Sequence, residues 1–133
     1  MRFFVSMAML LSMTLVLNGC GGGASDVPDV YPVSGLLKVN GQPVADVQVT
    51  FQPDSGPMSV GVTDEEGKFE LLLNADTMGA VAGQHTVSFS KRGGPAGTDE
   101  LIPPQFGTHS QLKETVSADG ENEFEYEISA EKL

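Results

Sequence analysis

The sequence is poor in cysteine, histidine and basic residues. Of its 133 residues, one is Cys, two are His, seven are Lys or Arg, and none is Trp. A single thiol excludes a disulfide framework and a two-cysteine metal or redox site, because each needs at least two Cys residues. The chain also has no His-x-x-Glu pair to hold a peptidase zinc ion. Its length suits one small domain, so a two-domain enzyme is excluded.

The shortage of positive charge argues against one class of partner. Eighteen acidic residues face seven basic ones, which gives a net charge of −11 and an isoelectric point near 4.3. A phosphate backbone attracts Lys and Arg and repels carboxylates. We therefore expect no nucleic-acid partner.

The apolar run at the start of the chain is too short to be a typical membrane span. Arg2 is followed by an apolar stretch over residues 3–17, which Asn18 and Gly19 end. A spanning helix needs about 20 apolar residues. A positive residue followed by about 15 apolar ones is typical of a secretory signal peptide. The sequence therefore predicts a signal peptide at residues 1–19.

The residues after this run resemble the lipobox of bacterial lipoproteins, here Leu17-Asn18-Gly19-Cys20. The resemblance implies cleavage before Cys20 and acylation of its thiol and new amino group by palmitate and related chains. Two or three acyl chains hold a protein stably on a membrane. Gly21 stands where an Asp would retain a lipoprotein in the inner membrane. The resemblance thus implies a cell-membrane anchor, in the outer membrane if the source has two, facing the periplasm or the exterior.

Residues 20–31 are predicted to be the lipidated Cys and a flexible tether, because they are rich in Gly, Asp and Pro and lack periodicity. From Cys20 onward the chain has six basic and 18 acidic residues, a net charge of −12. Anionic lipid headgroups repel a domain of this negative charge. The lipid, and not the domain surface, should therefore be the main attachment.

Residues 32–133 are predicted to form an all-β domain. Apolar and polar residues alternate in short runs separated by turn signals, and no helical period is present. Asn40-Gly41 is a strong hairpin signal, since both residues tolerate positive φ. Seven strands in about a hundred residues are typical of a β-sandwich. We place them at residues 33–39, 47–52, 59–63, 68–73, 85–90, 113–116 and 123–128.

Three phrases of this domain, at residues 33–51, 62–69 and 79–87, resemble carboxypeptidase regulatory-like domains. The resemblance implies a seven-stranded transthyretin-like (prealbumin-like) sandwich that serves as a binding, spacer or stabilising module. The stretch at residues 102–107, before the last two strands, is similar to small predicted lipoproteins of planctomycete-type bacteria. A fold by itself does not give a function.

Three groups of residues are candidates for a site. The loop over residues 91–106 carries two cations and several apolar residues, and it is either a ligand loop, through Lys91, Arg92 and Phe106, or a cover over the sandwich. Asp64 and Glu66 lie in an acidic turn that could hold Ca²⁺ or simply be solvated. His85 and His109 are the only imidazoles available to a small hydrolase, with Asp64 or Glu66 as partners.

The sequence favours a non-catalytic, lipid-anchored cell-envelope protein without a cofactor. Its domain would bind or support a partner such as an envelope protein or a glycan. The alternatives are a calcium-dependent adhesion or glycan-binding module and the small hydrolase.

Overall fold

The structure is a computed structural model that describes residues 28–133. These residues fold as an all-β domain. The predicted signal peptide, Cys20 and residues 20–27 of the predicted tether lie outside the described residues. Residues 28–133 contain no helix long and apolar enough to cross a membrane. The strands are β1 (Val30–Tyr31), β2 (Val33–Val39), β3 (Gln42–Pro43), β4 (Gln48–Pro53), β5 (Ser59–Val62), β6 (Lys68–Glu70), β7 (Leu72–Asn74), β8 (Thr77–Met78), β9 (Ala80–Val81), β10 (Gly83–Ser90), β11 (Arg92–Gly93), β12 (Asp99–Glu100), β13 (Leu112–Val116) and β14 (Asn122–Ile128).

Two sheets account for most of these strands. The larger has six strands in the order β13-β10-β4-β5-β7-β8, all antiparallel. In the smaller, β2 pairs in parallel with β14 on one side and antiparallel with β3 and β6. The short pairs β1-β9 and β11-β12 complete the pairing of the described residues. The all-β prediction is confirmed, and the arrangement is consistent with a β-sandwich.

One hydrophobic core lies between the inner faces of the two sheets. Alternation brings Val49 and Phe51 of β4, and Val47 just before the strand, inward, where all three are fully buried. On β14, Phe124, Tyr126 and Ile128 face the core while the three glutamates between and beside them are exposed, as the sequence predicted. A register shift of one residue would bury those carboxylates, so burial fixes the register of β14. The other buried members of the core are Val33, Leu37, Val39, Phe69, Leu71, Ala80, Val87, Phe89, Ile102, Val116 and Ala130.

The described residues contain fourteen strands, whereas the sequence predicted seven. The additional strands are short ones that lie between the predicted stretches or result from the division of one of them. The predicted strand at residues 68–73 is split at Leu71, whose backbone N–H donates to the Val33 carbonyl at 2.9 Å. On one side of Leu71, β6 pairs with β2, and on the other side β7 pairs with β5. The chain therefore crosses from one sheet to the other at this buried leucine.

Segments predicted to be unpaired also contribute strands. Val30–Tyr31, at the end of the predicted tether, pairs with Ala80–Val81, which lies between the predicted strands at residues 68–73 and 85–90. The predicted loop at residues 91–106 contains the β11-β12 pair and a single-turn 3₁₀ helix at Pro104–Phe106. These pairs are only two residues long, so they leave no alternation for a sequence pattern to detect.

Candidate functional site

The candidate ligand loop at residues 91–106 is organised around the carboxylate of Glu100. It accepts hydrogen bonds from the Ser90 hydroxyl at 2.6 Å and from the backbone N–H groups of Lys91 and Ile102 at 2.9 and 3.0 Å. The Arg92 guanidinium lies 3.7 Å away. Burial acts to raise the pKa of Glu100, but these hydrogen bonds and the nearby Arg92 outweigh it and lower the pKa below its ordinary value. Glu100 thus ties the start of the loop, at Ser90 and Lys91, to the segment that contains Glu100 and Ile102.

The three residues predicted to contact a ligand make contacts within the domain. The Lys91 ammonium donates to the Ala45 carbonyl at 2.8 Å, and Arg92 donates to the Thr98 carbonyl at 3.2 Å. Phe106 is partly buried and packs against the core. Arg92 also lines a groove of about 200 Å³ together with Glu100, among others. These contacts give the loop the geometry of a cover over one part of the sandwich, with Arg92 at its exposed side.

The acidic turn at residues 64–67 uses its first carboxylate to close itself. One oxygen of Asp64 accepts from the backbone N–H groups of Glu66 and Lys68, each at 2.9 Å. Gly67 completes the turn at φ +78°, and a side chain there would meet the Leu37 carbonyl. Glu66 pairs with Lys68 at 3.1 Å, and its hydrogen bond and charge raise the pKa of Lys68. No group of three or more His, Cys, Asp or Glu side chains within residues 28–133 is placed to hold a metal ion.

The two histidines lie in different surroundings. His85 is fully buried, its Nε2–H donates to the Val81 carbonyl at 2.7 Å, and its ring lies 5.7 Å from that of Phe51. His109 is exposed in the loop that follows the 3₁₀ turn.

The structure does not bring His85 together with the acidic turn. His85 is opposite Pro53 at one end of β4, whereas the acidic turn adjoins Thr63, which bonds to Val47 beyond the other end. Val47 and Pro53 are six steps apart along the extended strand, a distance of roughly 20 Å. Asp64 and Glu66 are therefore too far from His85 to act as its carboxylate partners.

Sequence reasoning missed Glu114, a half-buried carboxylate beside the buried His85. Glu114 is directly opposite His85 across the β10-β13 pair, on the inward face of its strand. His85 Nδ1 and the Tyr126 hydroxyl are the buried side-chain polar atoms without a hydrogen-bond partner in the described part of the chain. Burial, with the charge of the nearby Glu114, raises the pKa of Tyr126, although no well-formed hydrogen bond joins the two side chains. The alternation of Leu112, Glu114 and Val116 was the available signal for Glu114.

The outer face of the six-stranded sheet carries an exposed apolar patch, formed by Met58, Val60, Val62, Leu72 and Met78. Four of these are strongly exposed: 51% for Met58, 56% for Val62, 40% for Leu72 and 57% for Met78. The register places Val60 opposite Leu72 and Leu72 opposite Met78, so their side chains share one face. Beside the patch lies a groove of about 830 Å³, which Asp64, Lys68 and Glu70 also line.

The apolar patch exists because β5 turns its small and polar residues toward the core and its valines toward the outer face, the reverse of an ordinary half-buried strand. Ser59, Gly61 and Thr63 point inward and are buried, whereas the valines between them point outward. The Ser59 hydroxyl donates to the Gly79 carbonyl at 2.7 Å, and the Thr63 hydroxyl donates to the Val44 carbonyl at 2.6 Å. A side chain at Gly61 would come within 2.5 Å of the Glu70 carbonyl oxygen. The crossing chain at β6-β7 therefore admits only small residues on the inner face of β5.

Comparisons of the chain with protein-family models, curated proteins and solved structures found no match. The family resemblance of the domain and the lipobox resemblance at Cys20 therefore stay predictions from the sequence.

Proposed function

We propose that this chain is a non-catalytic, lipid-anchored protein of the cell envelope, whose β domain binds or supports a partner near the membrane. The observation that carries the proposal is the position of Cys20. The one cysteine of the chain follows an apolar run of signal-peptide length and closes a lipobox-like sequence. Acyl chains at Cys20 would convert a secreted acidic domain into one held at a membrane surface.

The contacts of the candidate catalytic residues support a binding or structural role. His85 is sealed in the core, and one oxygen of Asp64 is engaged by two backbone N–H groups. A general base must come within hydrogen-bond reach of a substrate proton. A fully buried imidazole whose Nε2 is bonded to a backbone carbonyl is better suited to holding the fold. The natural partners of such a module are an envelope protein or a glycan at the same membrane.

The transthyretin-like arrangement is part of this proposal. The phrases that resemble carboxypeptidase regulatory-like domains fall on turns that the fold needs: Asn40 and Gly41 have φ of 55° and 82°, and Gly67 and Gly83 also have positive φ. These positions support the resemblance because they require the residue types that the phrases share. An experimental structure superposed on a transthyretin-like domain would test the strand order directly.

Substitution of Cys20 tests the proposed anchor. In the native host, Cys20→Ser should abolish acylation, leave the precursor unprocessed or release the protein from the membrane fraction, because Ser provides no thiol for the lipid. Ser25→Ala, in the tether, is the matched control and should be processed and retained as in the wild type. Normal processing and unchanged membrane retention of Cys20→Ser would contradict the proposal. If the source has two membranes, fractionation should place the wild-type protein in the outer one.

A further inference from the structure

The apolar patch occupies one half of a sheet face whose other half is polar. Met58, Val60, Val62, Leu72 and Met78 belong to the β5-β7-β8 side. On the β10-β13 side, the same face presents Thr86, Ser88, Lys113 and Thr115. Exposed hydrophobic residues scattered singly are common, but a contiguous group on one side of a sheet indicates an interaction surface.

The chain enters the domain beside this patch. Strand β1, close to the start of the described residues, pairs with β9, and a single residue, Gly79, separates β9 from β8. A side chain at Gly79 would lie 2.5 Å from the Tyr31 carbonyl oxygen. Tyr31 is opposite Ala80, two residues after Met78. The Cα atoms of Tyr31 and Met78 are therefore at most about 13 Å apart.

We propose that the apolar patch rests on the lipid surface to which the chain is anchored, so that the domain is oriented with this half of its six-stranded sheet against the membrane. The inference rests on the proposed acylation of Cys20. From Cys20 to Val30 is ten residues, which span at most about 36 Å. An anchor of that length keeps the patch near the lipid continuously. Contact between the patch and the lipid is then an intramolecular event, which even a weak interfacial affinity can drive.

The charges around the patch favour zwitterionic over anionic lipid. Asp64 and Glu70 line the adjoining groove, where Lys68 is the single cation, and Lys68 is already paired with Glu66. Anionic headgroups would repel these carboxylates and the domain as a whole. The same net charge of −12 opposes the packing of a second copy of the chain on the patch. These features favour the bilayer interface as the occupant of the patch, in contact with its Met, Val and Leu side chains.

A site-specific fluorescent probe tests the orientation in the acylated protein. Because Cys20 is the only native cysteine and would carry the lipid, Met78→Cys introduces the single free thiol for an environment-sensitive dye. Thr115→Cys is the matched control, since Thr115 is exposed on the same face at the opposite edge of the sheet. Each labelled protein is reconstituted in vesicles of phosphatidylcholine and phosphatidylethanolamine, with and without brominated lipid.

The proposal predicts that brominated lipid quenches the dye at position 78 by about twofold or more while the dye at position 115 is unaffected. Equal quenching at both positions, or no quenching at position 78 in protein that floats with the vesicles, would overturn the orientation and leave the anchor intact. Dye self-quenching at position 78 that rises with protein density would identify a second copy on the patch and also overturn it. Failure of the protein to float with the vesicles would overturn the anchor, and the orientation with it.

Discussion

Asn40 shows how one residue can serve two parts of the fold. Its φ of 55°, followed by Gly41 at 82°, makes the tight turn between β2 and β3. Its side chain also donates to the Ala130 carbonyl at 2.8 Å and accepts from the Ala130 N–H at 3.1 Å. Asn40 therefore fastens the segment after β14 to the first hairpin, which Gly at the same position would not do.

His85 is expected to be a stability residue. His85→Ala should lower the free energy of unfolding by roughly 2–5 kcal/mol, because it leaves a cavity beside Phe51 and removes the donor to the Val81 carbonyl. Urea unfolding measures the loss. His109→Ala, at an exposed position, is the control and should stay within about 0.5 kcal/mol of the wild type. Equal effects of the two substitutions would contradict this assignment.

Glu100 should make the stability of the domain depend on acid pH. Its pKa in the folded chain is lower than the ordinary value of 4.5, so its contribution is fully present above about pH 4.5 and is lost as the pH falls through the lower folded pKa. Glu100→Gln should remove this part of the dependence. Unfolding free energies measured at pH 7 and at pH 3 should therefore differ less for Glu100→Gln than for the wild type. Glu123→Gln, on the exposed face of β14, should keep the wild-type difference, and a wild-type pH profile for Glu100→Gln would refute the assignment.

At the scale of elements, the crossing of the chain at Leu71 determines how β5 is built. The segment that leaves β6 passes so close to β5 that the Glu70 carbonyl faces Gly61. Small residues therefore face inward on β5, and its valines are left on the outer face. The apolar patch is a direct consequence of this crossing.

Gly61→Ala tests the crossing. The new methyl group would clash with backbone, which has no rotamer to move, so we expect a loss of roughly 1–3 kcal/mol in the free energy of unfolding. Gly120→Ala is the matched control, because a side chain there meets only Ser117 atoms at 3.7 Å or more and its φ is not in the left-handed region. Denaturant unfolding of both variants measures the difference. A neutral Gly61→Ala would show that the strands are farther apart than described.

Sequence reasoning succeeded where the information was local. The alternation of β4 and β14 gave their inward faces, and Asn40-Gly41 gave the first hairpin. It could not give the parallel pairing of β14 with β2, because that contact joins residues about 90 positions apart. Nor could it give the faces of β5, since alternating valines ordinarily point to a core.

The candidate site was harder to predict for the same reason. Lys91 and Arg92 form a positive pair in the sequence, yet in the fold their donors are used by the carbonyls of Ala45 and Thr98. The partner of Lys91 is 46 residues away, beyond the reach of a local pattern. The apolar patch joins side chains from three strands, and only the sheet register brings them together.

At the scale of the whole molecule, the alternating pattern and the acidic composition produce a division between an apolar core and a charged surface. The described domain buries its apolar residues in a core between two sheets and exposes the glutamates of β14, a charged edge strand that discourages pairing with another chain. Its acidic surface gives no attraction to an anionic membrane. Under the proposed function, attachment to an envelope would therefore depend on acylation of Cys20.

The mass of the native protein tests this central claim most directly. Intact and peptide mass spectrometry of protein purified from the membranes of its host should find a mature chain that begins at Cys20 and carries the added mass of two or three acyl chains. A chain that retains Met1, or a Cys20 with an unmodified thiol, would contradict the account.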